Sequence, residues 1–423
     1  MSFCRKLHIT SAWRRGFRLC AVCLGLMLLL GACYREKPRP VAEKNPPPTV
    51  DPTLSHRLDS LLRRVPAKWK TAVSVYDLSA GENVYQFHAD ELMHTASCMK
   101  LLTGIAGLHL LGPQYTFDTE LWARGKLRGD TLRGDIVMRM SFDPQFSERD
   151  LMLFLSRLKQ SRIGHIEGRF FIDRRVQGHP GPEVHWYRWD YDTKELGVLY
   201  EDSLQLLRHL REALAQCEVE INDTTLRYGG YPMDDGIRIY RLRRPLSRIL
   251  RTMWKWSSNM HSTALLYAIG HTSEPQKEPV QAGVRYLERF IREELGRQDS
   301  CSVIHDGCGL CIENRCSPSL FVDLLRYGQR ETHTFRCLQQ LLPRSGKSGT
   351  LYDRMTDSLT IGKVFAKTGT LSHPYGISTL SGYAQGGNGN LICFSIMNSE
   401  MSVLDARPLQ DRICREIVRL QNY

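Results

Sequence analysis

The sequence predicts a mixed α/β (α+β) fold: an antiparallel sheet flanked by helices, with a smaller β-rich domain inserted into it. A β-hairpin pattern near the start of the globular part and three strand-like segments near its end indicate the sheet. Apolar helical segments lie between them. Residues 115–240 interrupt this order with short strands, tight turns and charges. The hairpin and the closing strands can therefore form one sheet with helices on its faces.

The first 32 residues have the pattern of a lipoprotein signal peptide. Arg5 to Arg18 form a basic segment without an acidic residue, and residues 19–30 are apolar but too short to span a membrane. The string that ends in Cys33 resembles a bacterial lipobox, and the alternative is an ordinary secretion signal that happens to contain a cysteine. We expect a lipid on Cys33 and a periplasmic protein anchored to a membrane, with the outer membrane favoured because Tyr34 is not acidic.

The composition of the remaining chain indicates a tether and two domains, and its charge indicates the kind of partner it binds. Residues 33–50 are rich in proline and charge, as in an extended tether. Residues 51–114 and 241–423 are predicted to form the catalytic domain, around the inserted domain at residues 115–240. The net charge of +12 falls when the basic signal is removed, and the remaining excess suits an anionic polymer such as cell wall. The sequence contains no compact basic stripe with interleaved aromatic residues, so nucleic-acid binding is not predicted.

Local sequence patterns predict the individual strands and helices. Residues 71–77 and 84–88 alternate around a turn, and residues 96–111 are apolar nearly all round, as in a buried helix. The inserted block contains a capped amphipathic helix at 147–159 and a strand at 166–173. Its two Arg-Gly-Asp triplets, at 128–130 and 133–135, are interpreted as turns. The remaining predicted elements are helices at 245–270, 280–295, 317–327 and 406–420, and strands at 363–369, 377–384 and 391–397.

Ser97 and Lys100 are the first candidate pair for chemistry. Three residues apart at the start of a helix, they share one face. A serine hydroxyl needs a base before it can attack, and a lysine can serve when it is neutral, which burial favours. The pattern alone is weak, because Ser156 and Lys159 repeat it; that copy lies in mid-helix and is interpreted as a solvated face.

Two more strings complete the candidate site. Ser257 can relay a proton and Asn259 can accept from the lysine and donate to a substrate, although either serine of this string could simply be a helix N-cap. Lys367, Thr368 and Gly369 follow a strand-like segment, and a strand edge can bind an extended peptide. Lys367 and Thr368 can hold a terminal carboxylate, while the N–H of Thr370 can pair with that of Ser97 as an oxyanion hole. A similar string at residues 347–350 is rejected because no strand pattern flanks it.

The cysteines permit a second hypothesis. Cys301, Cys308, Cys311 and Cys316 cluster, but their spacing lacks the repeated pairs of a zinc site. Structural thiols or one disulfide are favoured over metal. No cofactor is predicted.

With these three strings in this order, the chain resembles the D-alanyl-D-alanine carboxypeptidase/endopeptidase family of penicillin-binding proteins, peptidase family S13. The resemblance runs from Asp59 to Met397. Besides the three strings it includes segments at residues 134–137, 142–145, 150–151, 168–173, 306–310 and 348–351, with Arg354. It implies a β-lactamase-like transpeptidase domain with insertions between the first and second motifs. It also implies acylation at Ser97, with Lys100 as base, Ser257 and Asn259 as the second motif, and Lys367, Thr368 and Gly369 as the third.

The implied activity is hydrolysis of peptidoglycan stem peptides that end in D-Ala-D-Ala, with β-lactams as covalent inhibitors. The chain departs from the family in a shorter insertion, in Cys308 where a serine is usual, and in Ser258 where aspartate is common. A β-lactamase-like hydrolase and an inactive wall-binding scaffold are the alternatives. A metallopeptidase and a Ser-His-Asp hydrolase are disfavoured, because their motifs are absent from the sequence.

Overall fold

The computed structural model describes residues 48–174, 203–228, 235–298, 302–371 and 376–419. The predicted signal peptide, Cys33, most of the predicted tether and Cys301 lie outside these ranges. Among the described residues, no helix combines the length and apolar character that crossing a bilayer requires.

Strands and helices are interleaved along the whole described chain. The strands are β1 Lys70–Asp77, β2 Glu82–Phe87, β3 Met93–His94, β4 Thr116–Arg128, β5 Thr131–Met140, β6 His165–Arg174, β7 Glu220–Tyr228, β8 Ile237–Pro245, β9 Ser302–Val303, β10 Arg315–Cys316, β11 Val364–Leu371, β12 Ile377–Gln385 and β13 Leu391–Ser399. The helices are α1 Leu54–Leu62, α2 Met99–Leu111, α3 Glu148–Gln160, α4 Ser203–Gln216, α5 Leu246–Lys255, α6 Asn259–Ser273, α7 Pro279–Glu293, α8 Pro318–Arg330, α9 Thr332–Leu341 and α10 Val403–Val418.

The main sheet has the order β11-β12-β13-β1-β2, and every neighbouring pair is antiparallel. The predicted hairpin (β1 and β2) and the three predicted closing strands (β11 to β13) thus form one sheet, as expected. The register of β1 on β13 runs from Lys70 opposite Ser399 to Asp77 opposite Ile392. Strand β11, which carries the third candidate string, lies at the edge of the sheet.

Both faces of this sheet are covered by helices, which explains its apolar strands. Val73 and Val75 belong to an apolar cluster with residues of α1 and α10, whereas Ala72 and Tyr76 belong to the larger core with α2, α6 and α8. Helix α2 lies within that larger core, and every residue from Met99 to Leu108 is buried. Each buried leucine contributes roughly 1.5–3 kcal/mol, so core packing holds the helix that begins beside Ser97.

The inserted block forms a second sheet of order β7-β6-β5-β4-β8, in which β5, β6 and β7 run parallel. Helix α3 begins with the capping box of Ser147 and Asp150, as its sequence predicts. Helix α4 was not predicted, because this block was interpreted as strands and turns.

The two Arg-Gly-Asp triplets have different structures. Gly129 has a positive φ of 63° between β4 and β5, as a turn requires. Gly134 instead lies within β5, opposite Gly125, where a Cβ would collide with the carbonyl oxygen of Arg124. The turn interpretation of the second triplet was wrong, because close backbone contact between two strands also selects glycine.

The single helix predicted for residues 245–270 is two helices. Helix α5 ends at Lys255 and α6 begins at Asn259. Between them Ser257 has a φ of +63°, which ends the first helix, and Ser258 caps the second by accepting from the N–H of His261. The break lies at the second candidate string and turns it toward the main sheet. Helices α1 and α9 were also not predicted.

Candidate active site

Ser97 lies in a tight 3-10 turn, Ala96–Cys98, that leads directly into α2. Ala96 has a φ of +41°, which is uncommon for a residue with a side chain, so the turn is held by its surroundings. Lys100 is completely buried one turn later, and its Nζ lies 2.9 Å from Ser97 Oγ. The structure therefore brings the predicted hydroxyl and amine into direct hydrogen-bonding contact.

The other contacts of Lys100 orient its amine. Nζ donates to Asn259 Oδ1 at 2.8 Å and to the backbone carbonyl of Cys308 at 2.6 Å. A neutral amine has two N–H donors and one lone pair. With both donors directed at carbonyl oxygens, the lone pair of a neutral Lys100 is left facing the Ser97 hydroxyl. This geometry suits removal of the hydroxyl proton.

A compact loop supplies the Cys308 carbonyl. The carboxylate of Asp306 accepts from the backbone N–H groups of Cys308, Gly309 and Cys311, at 2.9, 2.5 and 2.7 Å. Gly309 has a φ of +82°, and a Cβ there would collide with the carbonyl oxygen of Ala96. The loop thus packs directly on the Ser97 turn. Sequence reasoning missed this contribution because a backbone carbonyl has no side-chain signal, although the Asp-Gly-Cys-Gly string marked the loop.

Strand β11 presents backbone donors at its outer edge. The N–H of Val364 donates to Ser345 Oγ and that of Ala366 to the carbonyl of Pro343, so even-numbered residues direct their N–H away from β12. By the alternation of an antiparallel strand, Thr368 and Thr370 do the same. A Cβ on Gly369 would collide with Thr379 Oγ1 and lie 2.9 Å from the nitrogen of Ser97. The glycine therefore lets β11 approach the nucleophile turn.

Lys367 is buried beneath the same strand. Its Nζ donates to Ser257 Oγ at 2.8 Å and to the carbonyl of Thr368 at 2.6 Å. Burial, with a further contribution from the nearby charge of Lys100, holds the pKa of Lys367 well below its usual range. Ser257 thus joins the second string to the third, while Asn259 joins the second to Lys100.

The hydroxyls of β11 face other partners. Thr368 Oγ1 donates to Thr350 Oγ1 at 2.7 Å, and the guanidinium of Arg407 donates to Thr370 Oγ1 at 3.4 Å. Thr350 belongs to the string at residues 347–350 that was rejected as a third motif. Its strand-free loop nevertheless lies beside the site, since a Cβ on Gly349 would contact the carbonyl of Lys255. Sequence reasoning missed both Thr350 and Arg407.

A buried histidine fixes the loop between α5 and α6. The side-chain nitrogen of Gln145 lies 2.9 Å from His261 Nε2, and His261 Nδ1 lies 2.7 Å from Ser258 Oγ. These two contacts join Gln145, His261 and Ser258 in one chain of hydrogen bonds. Burial, and secondarily the charge of Arg244, lowers the pKa of His261 to about 4. The imidazole therefore stays neutral at physiological pH.

The second Ser-x-x-Lys string does not form a comparable pair. Ser156 Oγ donates to the carbonyl of Leu153, and Lys159 lies 3.4 Å from Glu218. Its serine and lysine thus have separate partners on the surface of the inserted domain.

Three of the four clustered cysteines lie within the described residues, and all three are free thiols. Cys308, Cys311 and Cys316 are buried and form no disulfide. In the described ranges, no group of three or more histidine, cysteine or acidic side chains is arranged to hold a metal. Cys301, the fourth member of the cluster, lies outside them.

A hydroxyl hydrogen-bonded to a buried lysine, beside the edge of an antiparallel sheet, defines a serine acyl-transfer enzyme. The chain matches the D-Ala-D-Ala carboxypeptidase 3 (S13) family over residues 54–194 and 190–419, and it belongs to that family. It is accordingly a serine peptidase of the D-Ala-D-Ala carboxypeptidase type.

Two relatives of this chain are named as D-alanyl-D-alanine carboxypeptidases. The chain is 26% identical to a D-alanyl-D-alanine carboxypeptidase of Actinomadura sp., covering 84% of this chain and 81% of the relative. It is 20% identical to the D-alanyl-D-alanine carboxypeptidase DacB of Haemophilus influenzae, covering 81% and 88%.

Solved structures support the fold. Penicillin-binding protein 4 of Haemophilus influenzae superposes with a TM-score of 0.71 at 18% identity, covering 85% of this chain and 97% of that one. A predatory peptidoglycan endopeptidase of Bdellovibrio bacteriovorus gives a TM-score of 0.58 at 17% identity, covering 83% and 94%. The main sheet and its helices thus have the architecture of the penicillin-binding proteins.

Proposed function

We propose that this protein removes the terminal D-alanine from peptidoglycan stem peptides through an acyl-enzyme on Ser97. The observation that carries the proposal is the 2.9 Å contact between Ser97 Oγ and the buried Nζ of Lys100, next to β11, the edge strand of the main sheet. An extended peptide laid along that edge would present a carbonyl to Ser97. Family membership supports the same substrate class.

Acylation begins at Ser97. Lys100, as the neutral amine, takes the hydroxyl proton while Oγ attacks the carbonyl carbon of the penultimate D-alanine. The backbone N–H groups of Ser97 and Thr370 stabilise the oxyanion that forms. Collapse of this intermediate breaks the peptide bond and leaves an ester on Ser97.

The leaving D-alanine departs as an amine and needs a proton. Ser257, whose Oγ receives a hydrogen bond from Lys367 Nζ at 2.8 Å, can relay to the leaving amine the proton that Lys100 took from Ser97. Lys100 is then neutral again, and Asn259 holds its amine through the 2.8 Å contact of Oδ1. Water attacks the ester, Lys100 accepts a proton of that water and returns it to Ser97 Oγ as the ester bond breaks, and the shortened peptide leaves.

Two extensions of this chemistry are part of the proposal. The same attack on a cross-link between stem peptides would be an endopeptidase reaction, which is the activity named for the Bdellovibrio structure. A β-lactam would acylate Ser97 irreversibly on the timescale of the peptide reaction. The structure of the Bdellovibrio endopeptidase acylated by penicillin G supports this expectation.

Replacing Ser97 with alanine tests the mechanism. We expect the variant to release no D-alanine from a stem peptide and to form no mass-shifted adduct with benzylpenicillin, because the nucleophile is gone. Ser156→Ala, in the similar string on α3, is the matched control and should behave like wild type. Wild type that released D-alanine while Ser97→Ala kept that activity would refute the assignment. Turnover of the penicillin adduct within seconds would instead favour a β-lactamase.

The proposal includes the cellular location of the protein. The basic segment, apolar segment and lipobox-like string before Cys33 support a periplasmic protein carrying a lipid on that residue. Because a thiol is required for this modification, Cys33→Ser should lose radiolabelled palmitate and leave the membrane fraction of expressing bacteria. Equal labelling of wild type and variant would contradict the anchor.

A further inference from the structure

The candidate carboxylate subsite has hydroxyls on one face of β11 and a buried lysine on the other. Side chains two residues apart share a face of a strand, so Thr368 and Thr370 lie together, about 7 Å apart along β11. Lys367 and Gly369 face the opposite side, toward Ser257 and the Ser97 turn. The amine of Lys367 is completely buried, and it contacts Ser257 Oγ and the Thr368 carbonyl. The hydroxyl face therefore needs another source of positive charge to bind a carboxylate strongly.

Arg407 brings a cation to that face. It projects from α10, and its guanidinium donates to Thr370 Oγ1 at 3.4 Å. The side chain lies at the surface beside the edge strand. A guanidinium has five N–H donors in a planar fork, so one bond to a hydroxyl leaves most of them available for a carboxylate.

The acidic side chain one helical turn beyond Arg407 forms its ion pair with another arginine. Asp411, the acid of the next helical turn, pairs with Arg354 at 2.6 Å. Arg354 also contacts the backbone carbonyl of Arg407 at 3.4 Å, so a second cation lies close by. Among the ion pairs of the described residues, none includes Arg407. Partial burial and then the charge of Arg354 lower the pKa of Arg407, and the charge of Asp411 opposes them with a smaller effect.

We propose that Arg407, with the hydroxyls of Thr368 and Thr370, binds the free carboxylate of the substrate residue that leaves. The inference rests on the proposed function, because that function supplies a leaving D-alanine whose carboxylate lies close to the scissile bond and therefore close to the oxyanion donor Thr370. It adds a specificity determinant from α10, outside the three sequence strings. An α-carboxylate next to the broken bond is common to the end of a stem peptide and to a cross-link made through a D-centre, so the same subsite serves both reactions.

The test compares substrates that differ only in this carboxylate. An acyl-D-alanyl-D-lactate and its methyl ester have the same reactive ester, but the second lacks the charge. For Arg407→Gln we expect kcat/KM on the free acid to fall roughly 10- to 100-fold, the range of a hydrogen bond to a charged group. The methyl ester should be cleaved as fast as by wild type. Arg407→Lys should recover part of the loss, because it restores charge without the fork.

A second arginine of α10 provides the control for this test. Arg412→Gln removes a charge from the same helix and should leave both rates unchanged. An equal loss on both substrates would mean that Arg407 acts only by supporting the fold, and no loss on either would mean that it does not contact substrate; each result overturns the inference. Wild type that cleaves neither substrate and forms no penicillin adduct would refute the proposed function itself.

Discussion

Gly369 is the residue at which β11 and the Ser97 turn come closest. Its missing Cβ would collide with Thr379 Oγ1 and lie 3.0 Å from the Cβ of Ala96. Thr379 itself donates to the carbonyl of Thr95, so the obstructing group is part of the support of the turn and cannot move aside freely. One missing methyl group thus sets the distance between nucleophile and substrate-binding edge.

Replacing Gly369 with alanine should displace the strand from the nucleophile. We expect kcat/KM for D-alanine release to fall about 100-fold, since a displacement near 1 Å in an active site has effects of that size. The second-order rate of penicillin acylation should fall in parallel, measured by intact-protein mass.

Gly168→Ala is the matched control for this change. A Cβ on Gly168 would also collide with a backbone carbonyl, that of Gly134, but within the second sheet. It should lower the melting temperature while leaving the activity per folded molecule intact. Near-normal acylation in Gly369→Ala would contradict the account of the close approach.

At the scale of elements, the loop between α5 and α6 has the greatest influence on the site. Ser257 adopts its positive φ where the α5 helix ends, and its hydroxyl meets Lys367 from β11. Ser258 is held by His261, which is held in turn by Gln145 from the segment between β5 and α3. The proton-relay candidate is therefore positioned by three separate parts of the chain.

Acid should weaken this loop through His261. Its pKa is about 4 when folded and near 6.5 in the unfolded chain. Between these values the unfolded state binds a proton that the folded state does not, so stability falls as pH decreases. Above pH 6.5 the histidine is neutral in both states and contributes no pH dependence. Between pH 7 and 4.5 the residue should cost roughly 2 to 3 kcal/mol of unfolding free energy.

Urea unfolding at the two pH values measures this cost. His261→Asn should lose less stability than wild type on acidification, by about that amount, because asparagine does not titrate. His305→Asn, at an exposed position, should follow wild type. Identical pH dependence of His261→Asn and wild type would show that the histidine protonates freely in the folded protein.

The sequence predicted the elements whose residues carry a repeating pattern. The hairpin, the three closing strands and the buried helix after Ser97 have such patterns, and they form as expected. The break at Ser257 could not be predicted, because serine does not favour a positive φ and the contacts that hold it come from distant residues. The Cys308 carbonyl, Thr350 and Arg407 were missed for a related reason: tertiary contact alone brings them to the site.

At the scale of the whole molecule, a buried ion network joins the segment between β5 and α3 to the end of β8. Arg244, at the end of β8, donates to Asp143 at 2.9 Å and to Asp150 at 3.0 Å. It also donates to the carbonyl of Gln145 at 3.1 Å, the residue whose side chain holds His261. Buried charges such as these are costly to leave without a partner. The network thus ties the segment between β5 and α3 to the end of β8 and, through Gln145 and His261, to the loop that carries Ser257 and Asn259.

The pairing of β1 with β13 has a consequence for biosynthesis. The first strand of the main sheet finds its neighbour only after nearly the entire chain has been made, and the edge that faces Ser97 is attached beyond that neighbour. Contacts between such distant segments form late and slowly. A nascent or truncated chain would contain Ser97 and Lys100 but lack the wall opposite them. We therefore expect a chain that lacks β11 to be inert, so that reaction with penicillin reports a molecule whose main sheet is complete.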